Sequence, residues 1–477
     1  MSRLVVGPFN RVEGDLELTL DVEEGRVAQA QVATTLYRGF EQILVGRPAG
    51  DALTIAPRIC GICSVSQSLA AAAALREICG VQPPRNGELA ANLVHAAENI
   101  ADHLSHFYLF FMPDFARADY AGRAWHGEIA ARFKAVEGLA ARDILPARAR
   151  LLHIMGLIAG KWPHSLALQP GGVTRALDLG AKMRLLAILG DFRAFAEEKL
   201  FGVSLEQVAG WETPEHLWAH AEGQGDFAAF LRVARDLRLD ELGRCALPLL
   251  SFGGYNGAEG ALFGAGVVEA SGGALPMGRI GEQVAASYFA DCAEDPVRAL
   301  TLPDMERLGA YSFAKAPRLD GRPAETGAVA RQAVAGQKLV RALLAQAGGS
   351  HVLVRVVARV LEIALVTLAA ENWARALNVR ESFCETPESV GSGAGVGRIE
   401  AARGALGHWV SVERGQIRAY QIIAPTTWNF SPRDGAGVPG PLEQALVGVE
   451  TGALGAKAAA IQHVVRSFDP CMVCTAH

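Results

Sequence analysis

At 477 residues, half of them hydrophobic and 20% charged, with a formal charge of -5 at neutral pH, the chain is long enough to bury a large core. Its charges form no long block, which removes the electrostatic case for nucleic acid. No stretch of about eighteen apolar residues is free of charge, so no membrane span is expected. Eight cysteines are too few for a disulfide scaffold in a chain of this size, so paired ones point to metal or catalytic use in a reducing cytoplasm.

Residues 3–35 alternate as strands do, with Leu16, Leu18, Leu20 and Val22 on one face and a turn at Gly25. From Pro57 the pattern changes. Ser64 to Ile78 is rich in Ala and Leu and is stopped by Gly80, which predicts a helix with Cys60-Gly61-Ile62-Cys63 at its start. Helical spacing continues over 87–113, 119–138, 147–160, 171–201 and 226–237. A long helical hairpin is expected over 324–346 and 351–377, turning at Gly348-Gly349. The Gly-rich stretches 252–274 and 391–407 read as loops and short strands, 409–423 as a hairpin turning at Arg414-Gly415, and 441–466 as a last helix.

The expected fold is therefore mainly α in an α+β arrangement, a helical-bundle core with N-terminal and peripheral β-strands. One folded unit is expected: 1–56 as an N-terminal strand region, 57–380 as the helical core, 381–440 as a strand and loop segment, and 441–477 as a helix with a cysteine tail. The isolated Cys79, Cys245, Cys292 and Cys384 read as buried apolar residues.

The tail Asp469-Pro470-Cys471-Met472-Val473-Cys474-Thr475-Ala476-His477 carries a second Cys-x-x-Cys. Two such pairs are the usual sign of structural zinc. Here they lie at opposite ends of a chain with ample core, so zinc is not needed for stability. Four thiolates also suit iron or nickel, including a two-metal centre with terminal and bridging sulfurs. A thioredoxin-like role needs only one pair.

Together with Arg11-Val12-Glu13-Gly14, Arg38-Gly39-Phe40-Glu41 and Pro425-Thr426-Thr427-Trp428-Asn429-Phe430, the two cysteine motifs resemble, over the whole chain, the nickel-iron hydrogenase large subunit. The resemblance implies heterolytic cleavage of dihydrogen at a nickel-iron centre whose iron carries carbon monoxide and cyanide. It implies Cys60, Cys63, Cys471 and Cys474 on nickel, with Cys63 and Cys474 bridging to iron. Cys471 becomes a proton acceptor and Glu13 a proton gate. Arg403 is suspended over the open coordination site and held by Asp102 and Asp469. Pro425 and Thr426 form the pocket for the diatomic ligands, and magnesium is held by Glu41, the carbonyl of Ile422 and His477. An iron-sulfur small subunit and maturation proteins are the implied partners.

Several positions depart from the family's usual pattern. Gln67 stands where histidine is common, Ala402 where proline is common, and Ile62 and Phe110 are bulkier than the usual residues of the gas channel. A glutamine can hydrogen-bond a thiolate but cannot carry a proton, and Ala402 leaves the backbone before Arg403 looser. These departures resemble the oxygen-tolerant, dihydrogen-sensing branch, which is cytoplasmic, turns over slowly and reports to a histidine kinase. An energy-conserving uptake hydrogenase, a quinone-site subunit of respiratory NADH:quinone oxidoreductase and a zinc-stabilised scaffold are the rival readings.

Overall fold

The structure, a computed structural model, describes residues 2–257, 260–270, 273–387, 389–451, 458–475 and 477. At the N-terminus, strands Ser2–Val6, Leu16–Glu23 and Arg26–Thr34 form an antiparallel sheet in that order. Leu16, Leu18 and Leu20 point into the core, as their alternation requires, and Glu24-Gly25 turns the second strand into the third with both residues in left-handed backbone. The predicted pair thus gains a third strand at its edge.

Behind the sheet lies the helical core. Helix Val352–Ala376 runs through its centre and is buried nearly all round, which its apolar composition demands. Arg355, Arg359 and Glu362, the charges that argue against a membrane span, are buried with it: Arg355 pairs with Glu325, Glu362 pairs with Arg331, and Arg359 donates to backbone carbonyls. Among the described residues no helix is long and apolar enough to cross a membrane. Helix Arg85–Ser105 packs against it and runs on into a π-helical turn, His106–Phe111.

Several predicted elements are shorter than their patterns suggested. Of 119–138 only His126–Phe133 is α-helical. The 171–201 helix starts at Leu179 and ends in a π-helical turn, Ala196–Phe201. The first arm of the helical hairpin breaks into Ala328–Val334 and Lys338–Ala347 around Gly336, whose φ is +83°. The last helix comprises Pro441–Leu446 and Ala459–Ser467, with 452–457 of the predicted run outside the described residues. Of the isolated cysteines only Cys245 is fully buried; Cys79, Cys292 and Cys384 are half-buried.

The two Gly-rich stretches are better ordered than expected. Strands Leu249–Gly257 and Gly260–Val268 pair as a hairpin, while 258–259 and 271–272 of the stretch 252–274 lie outside the described residues. The second stretch forms strand Gly393–Ala401, which joins Gly404–Glu413 and Gln416–Ile423 in a three-stranded antiparallel sheet. Its glycines have a packing reason. A Cβ at Gly395 or Gly397 would lie 2.1 Å from the Ala74 carbonyl oxygen or 1.9 Å from that of Ala70, so the sheet lies directly on the Ala-rich face of helix Ser64–Cys79. That contact sets the first cysteine pair beside the sheet.

Candidate metal centre

The four paired cysteines meet in the interior. Their sulfurs all lie within 4.8 Å of one another, with Cys60 to Cys471 at 3.7 Å, Cys63 to Cys474 at 3.2 Å and Cys471 to Cys474 at 3.0 Å. These separations are too long for disulfides, which need about 2.05 Å. Contacts among the four hold the Cys60 thiol well below its ordinary range and push Cys63 and Cys474 well above it. Four buried sulfurs so close cannot all ionise unaided. A soft transition-metal cation would supply the missing charge, and the donor set therefore fits nickel and iron.

Each cysteine segment is pinned by several groups. Arg38 Nη2 donates to the carbonyls of Ile59 at 2.7 Å and Val473 at 2.5 Å, one guanidinium tying the residue before Cys60 to the residue before Cys474. Helix Ser64–Cys79 starts at Cys63 without a side-chain cap of its own. The cap comes from a neighbouring helix, where the Glu98 carboxylate accepts from the N–H groups of Val65 and Ser66 at 2.8 and 2.9 Å and from Trp162 Nε1 at 3.1 Å. Burial pushes Glu98 up to about 7.

On the other side, the Glu13 N–H donates to the Pro470 carbonyl and the Met472 N–H to the Glu13 carbonyl, so Glu13 and Cys471 sit side by side in a parallel bridge. Gly14 must be glycine there, since its φ is +83° and a Cβ would meet Val473 at 3.0 Å. Burial, and next the Cys60 thiolate, raise the Glu13 carboxyl above the usual carboxylate range. Thr426 Oγ1, next to Pro425, accepts from the Cys471 N–H at 3.1 Å, which leaves its own hydrogen free to donate. The neighbouring Thr427 hydroxyl is buried and has no partner among the described residues.

Strand register places Arg403 in a tight turn, for Ala401 pairs with Gly404 and leaves Ala402 and Arg403 as the loop. Ala402 does not loosen it. Arg331, itself paired with Glu362 and Glu400, donates to the carbonyls of Ala401 and Ala402 at 2.9 and 3.0 Å. Arg403 Nη2 then lies 3.0 Å from Asp102 Oδ1 and 3.3 Å from Asp469 Oδ1, and Nε donates to the Asp469 carbonyl at 3.0 Å. Nη1 has no partner among the described residues. Burial works against the guanidinium charge, but Asp102 and Asp469 overcome it and hold Arg403 well above its ordinary range. Burial also raises Asp102, with Arg403 pulling the other way, whereas Asp469 stays low because Arg403, His106 and Arg359 outweigh its desolvation. Arg359 fixes the approach to this aspartate by donating to the Ser467 and Phe468 carbonyls at 2.6 and 2.9 Å.

Glu41 and His477 also come together. His477 Nδ1 donates to the Cys474 carbonyl at 2.7 Å, and its Nε2 faces Glu41 Oε1 at 3.1 Å. Glu41 also accepts from the Ile422 N–H at 2.9 Å and from Lys315 Nζ at 3.1 Å. With Nδ1 committed as donor, Nε2 and the Glu41 oxygen can share either a proton or, in its place, a hard cation that the Ile422 carbonyl would also face. Lys315, absent from the expectations, bridges Glu41 and Glu282. Against the effect of burial, Lys315 and His477 hold Glu41 well below the usual carboxylate range.

Gln67 departs from its expected contact. Its Oε1 pairs with His408 Nε2 at 2.8 Å, and no hydrogen bond from Gln67 to a thiol is found among the described residues. Ile62 packs against the cysteine cluster. Phe110 is half-buried in the π-helical turn, where its carbonyl accepts from Arg11 Nη1 at 3.1 Å. That ties it to Arg11, two residues before Glu13. Arg38, Glu98, Arg331, Arg359 and Lys315 escaped the sequence reading as site residues, because each acts on a segment far away in the chain.

Residues 38–129 and 142–477 match the nickel-dependent hydrogenase family. The chain is 28% identical to the periplasmic NiFeSe hydrogenase large subunit of Desulfomicrobium baculatum, over 100% of this chain and 95% of that one. It is 27% identical to the quinone-reactive Ni/Fe-hydrogenase large chain of Wolinella succinogenes, over 100% and 96%. Its fold matches the solved Ni-Fe-Se hydrogenase from D. vulgaris Hildenborough with a TM-score of 0.85 at 28% identity over 100% of both chains. The chain belongs to the nickel-dependent hydrogenase family and is an oxidoreductase acting on dihydrogen.

Proposed function

We propose that this chain is the active-site subunit of a nickel-iron hydrogenase that serves as a dihydrogen sensor. The observation that carries the catalytic part is the buried four-cysteine cluster with Arg403 held beside it by two carboxylates. In this reading Cys60, Cys63, Cys471 and Cys474, with the Cys63 and Cys474 sulfurs 3.2 Å apart, would hold a nickel-iron centre whose iron would carry carbon monoxide and cyanide. The bound centre supplies the two-electron oxidation of dihydrogen to protons.

The protein's own groups handle charge and protons. Arg403, a fixed cation with an unpaired N–H edge, polarises the substrate. The Cys471 sulfur takes a proton, and Glu13, whose raised carboxyl titrates closer to neutrality, receives it and passes it outward. Thr426, beside Pro425, would donate to a diatomic ligand of the centre. Glu41, the Ile422 carbonyl and His477 would hold magnesium. Electrons leave through a small subunit bearing iron-sulfur clusters, since no second cysteine cluster is found among the described residues.

The sensing role rests on Gln67, Ile62 and Phe110, and with it go low turnover, oxygen tolerance, a histidine kinase partner and a cytoplasmic location. A second reading, an energy-conserving uptake enzyme, is favoured by relatives named as periplasmic and quinone-reactive hydrogenases. Dye-linked dihydrogen oxidation, set beside a kinase-dependent transcriptional response, tests the choice. The sensor reading expects slow turnover and a response that vanishes without the kinase. Rapid turnover with no transcriptional effect would establish the uptake role. Cell fractionation gives the location independently.

A further inference from the structure

Cys63 stands immediately before helix Ser64–Cys79, the place from which a side chain ordinarily accepts from the second and third N–H groups of a helix. A thiolate in that place accepts such bonds as well, and gives up electron density to them. Here it does not. With φ -110° and ψ 31° the backbone of Cys63 lacks the extended shape of a capping residue, and its side chain makes no cap bond. Its sulfur lies instead 3.2 Å from that of Cys474.

Glu98 fills the vacant role from helix Arg85–Ser105, where it is buried. Its Oε2 accepts from the Val65 N–H at 2.8 Å and from Trp162 Nε1 at 3.1 Å, and its Oε1 from the Ser66 N–H and hydroxyl, both at 2.9 Å. Val65 and Ser66 are the second and third residues of the capped helix, so these are the two bonds that a side chain at Cys63 would otherwise make. Each carboxyl oxygen takes two donors, which leaves no room for a proton of its own and fits the ionised form. The positive end of the helix favours that charge, and the charge strengthens the cap.

A second set of contacts closes over the same turn. The His164 N–H donates to Ser64 Oγ at 3.3 Å, and His164 Nδ1 donates to the Pro57 carbonyl at 3.0 Å. A Cβ at Gly61 would lie 3.7 Å from Pro163 Cγ, so the segment Trp162–His164 lies across the first cysteine pair while Glu98 holds the helix that follows it.

We infer that Glu98 is a positioning residue for Cys63. By taking the second and third N–H groups of the helix, it fixes the first turn and leaves the Cys63 sulfur free of them, so that the electron pairs of that sulfur go to a metal. This rests on the reading of the four cysteines as a nickel-iron site. Electron donation by Cys63 is thereby set partly from a different helix, through two backbone amides.

The test reads amide exchange and infrared spectra side by side. In the metal-free full-length chain, Glu98→Ala is expected to speed exchange of the Val65 and Ser66 amides about fivefold or more, the factor that loss of a typical cap corresponds to. In the metal-loaded complex the same variant leaves those N–H groups to donate to the Cys63 sulfur. The stretches of iron-bound carbon monoxide and cyanide are then expected at higher frequency than in the parent. Glu98→Gln keeps one acceptor oxygen and should fall between the two in both readings. Unchanged exchange, or bands that stay in place while exchange rises, would overturn the proposal. Should Glu98→Ala take up no metal, Glu98→Gln carries the infrared test, and bands at the parent position would count against it. If unsubstituted protein shows no such bands, the nickel-iron reading fails and the role of the Cys63 electron pairs falls with it, whereas exchange still decides whether Glu98 is the cap.

Discussion

Arg403 combines three demands in one side chain: a permanent charge, a fork that spans the Asp102 and Asp469 carboxylates and the Asp469 carbonyl, and an N–H edge left over. Lysine offers charge without the fork. Arg403→Lys should therefore keep nickel while lowering dihydrogen oxidation by about 100-fold or more, the scale seen when a preorganised electrostatic group is lost. Metal analysis beside a dye assay checks it. Glu13→Gln keeps the backbone bridge to Cys471 but cannot carry a proton, so nickel should stay and turnover fall at least ~10-fold. Arg403, Asp469 and Glu13 stand in short contiguous motifs that carry the family resemblance, whereas Asp102, on a helix, is legible through that resemblance alone. Arg38 stands inside such a motif, yet its role shows only when the chain ends meet. Glu98 gives no local sign at all, because a mid-helix glutamate that caps a different helix looks like any surface charge.

Secondary structure was legible wherever one face is buried against a regular partner. The alternation of Leu16, Leu18 and Leu20 and the Ala-rich run after Cys63 both fold as read. The 391–407 stretch misleads because glycine weakens strand propensity, while here glycine is what lets strand Gly393–Ala401 lie on helix Ser64–Cys79. Gly397→Ala would force a Cβ to 1.9 Å from the Ala70 oxygen and should cost about 1–3 kcal/mol in urea unfolding, with nickel lost as Cys63 shifts. Gly393→Ala, where the nearest atom is Ile78 Cγ2 at 3.4 Å, should be tolerated far better. The central helix Val352–Ala376 is capped by His351, whose ring accepts from the Val354 N–H, and burial lowers this histidine to about 3. The depressed value means that its contribution is complete above the unfolded value near 6.5 and is lost as pH falls from there toward 3. The loss approaches ~1.4 kcal/mol per pH unit. His351→Asn caps without titrating, so urea midpoints at pH 7.5 and pH 5 should differ less than in the parent protein.

Across the whole molecule, the two ends of the chain are brought together by sulfur, by Arg38 and by the Glu13 bridge, while Leu16, Leu18, Leu20 and Met472 join a hydrophobic core whose burial needs no metal. Protein prepared without metal should keep its far-ultraviolet dichroism, while amides of 469–475 and of the Glu13 loop exchange faster with solvent. Global unfolding on metal removal would contradict that division of labour. The fold class could be read from composition and periodicity, and the meeting of the chain ends from the two cysteine pairs. The buried ion network of Arg331, Glu362 and Glu400 could not, because its members are far apart in sequence and their neighbours read as an apolar bundle.

The central claim is that the four cysteines hold a nickel-iron centre with carbon monoxide and cyanide on iron. Infrared spectroscopy of fully matured protein tests it most directly. The expected result is stretches of both iron-bound carbon monoxide and cyanide, all lost in Cys471→Ala together with nickel. A mature protein that contains zinc and shows none of these bands would contradict it.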